Sequence, residues 1–214
     1  MVGIIFDLDG TLWDSTDEVA IAWNQAIKEH TKIEHTLTGD ELKREFGKPL
    51  DEILDDLFPG LNSSEKEELA GYLYQSENER VESAPCILYD NMPDTIRRLS
   101  EEYPLFIVSN CQKGYIEAFL KNTGLGDYFK DFTCPGDTGK LKADNIRIIM
   151  ERNGIRDAVY VGDTQGDADA CRKADIPMIF AAYGFGNVEG DYETIHSFDE
   201  LLHINFEGMK MRKK

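Results

Sequence analysis

The sequence predicts an α/β protein, a doubly wound parallel sheet with a small α-helical segment inserted after its first strand. Three observations carry that prediction. Short apolar runs that end in polar or glycine-rich text recur along the chain; stretches with helical spacing alternate with them beyond about residue 83; and the intervening segment is helical and acid-rich, with no run that resembles a buried strand. The predicted division is residues 1–14 and 83–214 as the α/β core and 15–82 as the helical insert.

The first element is "VGIIF", closed by "DLDGT". Aspartate is a poor strand former but common where a strand stops. Alternation along a strand points Asp7 and Asp9 the same way and returns Leu8 to the protein. Two like charges in one small volume cost free energy unless a cation, a proton or a substrate offsets them.

In the insert, "STDEVAIAWNQAIKEH" places Val19, Ala22, Trp23, Ala26 and Ile27 near helical spacing. Thr38 to Glu41 and Ser64 to Glu67 both match the capping box, and Phe58-Pro59-Gly60 separates helices. Beyond "SAPCILYDNMP", the strands are read as "LFIVSN" (Leu105 to Asn110), "AVYVGD" (Ala158 to Asp163) and "PMIFAAYG" (Pro177 to Gly184). The helices between them, "QKGYIEAFLKNTG" and "KADNIRIIMERNG", each close on a glycine suited to a C-cap.

Composition narrows the function. With 214 residues, 41 Asp plus Glu against 23 Lys plus Arg and a formal charge of -18, the surface repels nucleic acid and anionic membranes, so neither is expected as a partner. Cys86, Cys111, Cys134 and Cys171 are scattered, which suits reduced core thiols better than a zinc site or a disulfide framework. The apolar start reaches Asp7 before a signal-peptide core forms, and no run is long enough to span a bilayer; a cytoplasmic protein is expected. The basic tail "MKMRKK" reads as a frayed, solubilising end.

In a doubly wound sheet, ligands sit beyond the carboxyl ends of the strands. Asp7 and Asp9 close one strand, Ser109 and Asn110 a second, Gly162 and Asp163 a third, and these polar groups share one rim if the strands are neighbours. Asp163 and Asp167 are four apart and face one site if a helix begins there. Such an oxygen-rich set suits magnesium, and Ser109 with Lys142, at the start of a helix, supplies donors for an anionic substrate.

"DLDGT", the strand ending in "SN", a lysine opening a later helix and "VGDTQGD" together resemble the four ordered motifs of the haloacid dehalogenase superfamily. The resemblance extends to about "AAYGFG", and the insert, with "FGKPLDEIL", is similar to the cap of its phosphoglycolate phosphatase-like members. It implies a Rossmann-like core and a magnesium-dependent phosphatase that works through an aspartyl phosphate. Asp7 would be the nucleophile and Asp9 the general acid and base; Ser109, Asn110 and Lys142 would bind the phosphoryl group. Magnesium would be held by Asp7, the Asp9 backbone carbonyl and Asp163, with Asp167 in support. The third motif often reads Lys-Pro, whereas here it is "TGKLKADNI", so Lys140 stands as the alternative to Lys142.

The expected substrate is a small phosphorylated metabolite, and the expected assembly a monomer or homodimer. If Lys48 of the cap loop faces the site, a second anionic group is favoured and phosphoglycolate is the natural candidate. A sugar-phosphate mutase is the first alternative, but Val19 and Leu50 stand where mutases with this cap carry a histidine and a basic residue. A 5'-nucleotidase is another, with Trp13 or Trp23 stacking a base. A phosphoryl-accepting signalling module is the non-enzymatic reading, and the helical insert argues against it, because a lid serves turnover.

Overall fold

The computed structural model describes residues 2–209. The tail residues Lys210 to Lys214 lie outside the described residues.

The chain runs β1 (Val2–Phe6), β2 (Trp13–Asp14), then helices α1 (Thr16–His30), α2 (Gly39–Glu45), α3 (Leu50–Leu57) and α4 (Ser63–Val81). It continues with β3 (Ile87–Leu88), α5 (Met92–Glu102), β4 (Leu105–Val108), α6 (Tyr115–Thr123), β5 (Phe129–Thr133) and α7 (Pro135–Thr138). The last elements are α8 (Lys142–Arg152), β6 (Asp157–Gly162), α9 (Gln165–Ala174), β7 (Met178–Ala181) and β8 (Glu193–Ile195). The six-stranded sheet has the order β5-β4-β1-β6-β7-β8, and every pair in it is parallel. Parallel strands are buried on both faces, and β1 accordingly has Ile4, Ile5 and Phe6 fully buried.

Register is what builds the rim. Phe6 pairs with Ile107 of β4 on one side and Val161 of β6 on the other, so the residues that follow all three strands emerge side by side. One face of the sheet packs Ile5, Phe106 and Val108 against Ile146 and Ile149 of α8 and Ala168 and Cys171 of α9. The opposite face buries Ile4, Phe6 and Ile107 in a cluster that continues through Trp13 and Phe119 into Trp23 and Leu73 of the helical segment.

Three details differ from the sequence reading. The capping box expected at Ser64 to Glu67 lies two residues earlier: Asn62 is the N-cap, its side chain accepts from the Ser64 and Glu65 amides, and Glu65 returns a bond to the Asn62 amide. The box at Thr38 and Glu41 forms as expected. Strand β5, "FKDFT", was hidden by its polar text, which an edge strand tolerates because one flank faces solvent. A two-residue antiparallel ribbon, Trp13 with Leu88 and Asp14 with Ile87, joins the two points where the chain passes between sheet and helical segment. The four cysteines are free thiols, and no helix among the described residues is long and apolar enough to cross a membrane.

Candidate active site

The residues after β1, β4 and β6 meet as the register requires. Asp7 is buried at the end of β1, with its amide donating to the Val161 carbonyl of β6 at 2.9 Å. Leu8 turns inward and is fully buried, while Asp7 and Asp9 both line one cavity with Ser109 and Asn110. The chain leaves through Gly10 at φ 81°, where a Cβ would stand 2.2 Å from Asp163 Oδ2; only glycine lets the turn approach that carboxylate so closely.

Lys142 is the positive centre. Its Nζ lies 2.6 Å from Asp167 Oδ1 and 3.1 Å from Asp7 Oδ1, and it is buried at the first position of α8. Burial alone would favour the neutral amine, but the Asp167 and Asp7 carboxylates outweigh it and hold its proton well above the ordinary lysine range. Lys140 is exposed, which separates the two lysines that the sequence left as alternatives.

Asp167 is committed locally. It is the third residue of α9, in a capping box with Thr164: its Oδ2 accepts from the Thr164 amide at 3.0 Å and the Thr164 hydroxyl at 2.8 Å, and its Oδ1 takes Lys142. Asp163 accepts from the Thr11 hydroxyl at 3.1 Å and the Phe185 amide at 2.8 Å. Burial, then the charges of Asp167 and Asp7, push its carboxyl far above the usual range. Asp7 is raised to about 6 by burial and by Asp167, with Lys142 pulling the other way.

These are the properties of a cation site. Asp7, Asp163 and Asp167 bring carboxylate oxygens within 4.8 Å of one another, all buried, and Asp7 Oδ1 makes no hydrogen bond among the described residues although it is buried beside Lys142. Buried carboxylates gathered around a single ammonium and an unbonded acceptor suit a hard divalent ion such as magnesium. Asp7 and Asp163 fit best as ligands: Asp7 Oδ1 is open and Asp163 accepts only from neutral donors, whereas Asp167 is paired with the Lys142 ammonium at 2.6 Å.

Asp9 has a different surrounding. Trp13 Nε1 (2.9 Å), Ser15 Oγ (2.7 Å) and Tyr115 Oη (2.8 Å) all converge on its Oδ1. Burial raises Asp9 to about 7 against those bonds. Two neighbouring carboxyls thus differ in their partners: Asp7 sits against a lysine, and Asp9 against three neutral donors that all take one of its oxygens. The sequence reading named none of Trp13, Ser15 and Tyr115 as a partner of Asp9, and gave Trp13 only a base-stacking role. The available signal was the closeness in sequence of Trp13 and Ser15, which follow Asp9 by four and six positions.

The helical segment closes the cavity. Gly47, at φ 96°, accepts a hydrogen bond from Asn110 Nδ2 at 2.8 Å. Lys48 lies on the wall, but its ammonium is bound by Glu45 (2.6 Å) and Asp56 (2.8 Å). The indole of Trp23 and the buried Glu77 complete that side, with Trp23 Nε1 donating to Glu77 Oε2 at 2.7 Å. Trp13 is fully buried against Tyr115 and Phe119 and has no free face for a base.

Residues 4–181 match a family model described as haloacid dehalogenase-like hydrolase. The pyrophosphatase PpaX of Bacillus velezensis is 30% identical over 220 residues, which cover 95% of this chain and 96% of that protein. A phosphoglycolate phosphatase of Vibrio vulnificus is 27% identical over 201 residues, covering 87% and 86%. Among solved structures, a haloacid dehalogenase-like hydrolase of Streptococcus pneumoniae superimposes with a TM-score of 0.79 at 22% identity, covering 95% of this chain and 97% of that one.

Proposed function

We propose that this chain, which belongs to the haloacid dehalogenase-like hydrolase family, is a magnesium-dependent phosphatase of small phosphate monoesters that works through an aspartyl phosphate on Asp7. The observation that carries the reading is the unbonded Asp7 Oδ1, held 3.1 Å from Lys142 beside Asp9, whose Oδ1 takes three neutral donors.

Asp7 and Asp163, with the Asp9 backbone carbonyl, would hold the magnesium, and Asp167 would support them through Lys142. When bound, the ion supplies positive charge to the phosphoryl oxygens. The chain does the rest. Lys142, Ser109 and the Asn110 amide hold the phosphoryl group with a carboxylate oxygen of Asp7 facing phosphorus. The Asp7 oxygen bonds to phosphorus as the bond to the leaving oxygen breaks, and Asp9 gives its proton to that oxygen. Asp9, now a carboxylate, takes a proton from a water whose oxygen attacks phosphorus, and the phosphate leaves Asp7 free.

Phosphoglycolate, named for the Vibrio relative, would need a cation for its carboxylate, and Lys48 is already bound to two acids. The test is phosphate release from a panel of phosphate esters with and without magnesium, by the wild type and Asp7→Asn. Many phosphates released per wild-type chain and none by Asp7→Asn are expected. One equivalent of alcohol per chain, with the phosphoryl group retained on the protein, would indicate a phosphoryl-accepting module instead.

A further inference from the structure

Glu77 is a carboxyl in an unusual place. It lies on α4, 4% exposed, on the wall of the same cavity that Asp7 and Asp9 line from below. The Trp23 indole and the Gln112 side chain hydrogen-bond it, both neutral donors, and it makes no ion pair among the described residues. The lysine of that wall, Lys48, is tied to Glu45 and Asp56. The helical side of the cavity therefore presents one uncompensated carboxyl to whatever is attached to the phosphoryl group. A buried acid without a cation is retained at a free-energy cost that packing alone does not explain.

The cavity is small, about 30 Å³, room for roughly one water with the helices closed. A leaving group held there must be short, and its far end comes against Glu77. Glu77 and Asp9 line the same space, and burial, with the charge on Asp9 adding to it, raises the Glu77 carboxyl to about 8 despite the Trp23 and Gln112 bonds. A carboxylate in that cavity would meet Glu77 and Asp9, and Lys48, the cation on its wall, is already bound to Glu45 and Asp56. A hydroxyl can donate to Glu77, and an ammonium can pair with it beside the Trp23 ring.

We propose that Glu77 is a specificity-determining residue that selects small phosphate monoesters whose leaving group carries a hydrogen-bond donor, a hydroxyl or a protonated amine, over those that carry a carboxylate. This rests on the phosphatase reading above and names the substrate class of that site.

The experiment measures kcat/KM with magnesium for four esters: glycerol 3-phosphate, phosphoethanolamine, phosphoglycolate and ethyl phosphate. Wild type should favour at least one of the donor-bearing esters over phosphoglycolate by about tenfold or more, since a buried group built to bind a donor rejects a ligand without one. Preference for the amine identifies an ionised Glu77, and preference for the hydroxyl a protonated one. In Glu77→Gln, which keeps the size but cannot carry charge, the ratio for the favoured ester over phosphoglycolate should fall by about tenfold if the amine is favoured, and in Glu77→Met it should fall whichever is favoured. Each ratio is taken within one preparation, so loss of folded protein cancels. If phosphoglycolate equals or exceeds both donor-bearing esters in wild type, or if the ratio survives in Glu77→Met, the proposal is overturned. Turnover of p-nitrophenyl phosphate by wild type, lost in Asp7→Asn, reports separately on the phosphatase reading; its absence would remove that reading and the Glu77 assignment with it.

Discussion

Asn110 donates its side-chain amide to the Gly47 carbonyl at 2.8 Å, so a residue of the proposed phosphoryl cradle also fastens the helices above it. Asn110→Ala keeps the backbone amide and removes only the fastening. A net hydrogen bond of about 1 kcal/mol corresponds to a roughly fivefold shift toward an open cavity. Faster hydrogen exchange across residues 46–49 and a similar fall in kcat/KM are expected. Unchanged exchange would show that this bond does not hold the cavity closed.

Lys142 and Lys140 should separate cleanly. Lys142→Ala leaves Asp7 and Asp167 buried without their ammonium, a change that costs about 3–5 kcal/mol when a buried pair is broken. Its melting temperature and its turnover should both collapse. Lys140→Ala, at an exposed position, should melt and turn over as the wild type does. The opposite ranking would move the phosphoryl contact to Lys140.

Magnesium should stabilise the fold. Excess metal at about a hundred times its dissociation constant contributes roughly 2.7 kcal/mol, which appears as a rise in melting temperature. Asp163→Asn, which removes one proposed ligand, should melt at the same temperature with and without magnesium. A full shift in that variant would exclude Asp163 from the metal site.

Glu77 predicts a pH dependence with a definite sign. The folded protein keeps its proton up to about pH 8, whereas the unfolded chain releases it near the ordinary 4.5, so the folded state binds more protons between those values. Its contribution to stability is therefore fullest below 4.5 and is lost as the pH rises toward 8. Thermal melts at pH 6 and pH 8 should fall less steeply in Glu77→Gln than in wild type. Parallel slopes for the two proteins would mean that Glu77 is already ionised at pH 6.

The sheet and most of the rim were legible because they follow from short-range rules. Alternation put Asp7 and Asp9 on one side, and the start of α8 favoured Lys142 over Lys140; both geometries appear. Asp167 was read as facing the site, but its bonds to Thr164 come from capping, a local demand that also aims its other oxygen at Lys142. What escaped depended on contacts distant in sequence. Tyr115 reaches Asp9 across 106 positions, and no local pattern announces it. Glu77 was hidden among the other glutamates of α4, yet Leu69, Leu73, Glu77 and Val81 are the buried residues of that helix, four apart, and an acid in such a row is a visible exception. Lys48 was visible as a cation, but its partners Glu45 and Asp56 meet it only once α2 and α3 fold together.

The ribbon that pairs Trp13 with Leu88 and Asp14 with Ile87 sets the departing and returning strands of the helical segment side by side. Their separation is that of neighbouring strands, about 5 Å. A tight turn from Asp14 to Ile87 would bridge it, so the sheet does not depend on the helices for its connectivity. Exchange of the segment for a shorter connection would leave Asp7, Lys142 and Asp163, which lie outside it, at their places in the chain. On the proposed reading, the rim that performs the chemistry and the helices that meet the leaving group are then open to change independently of each other.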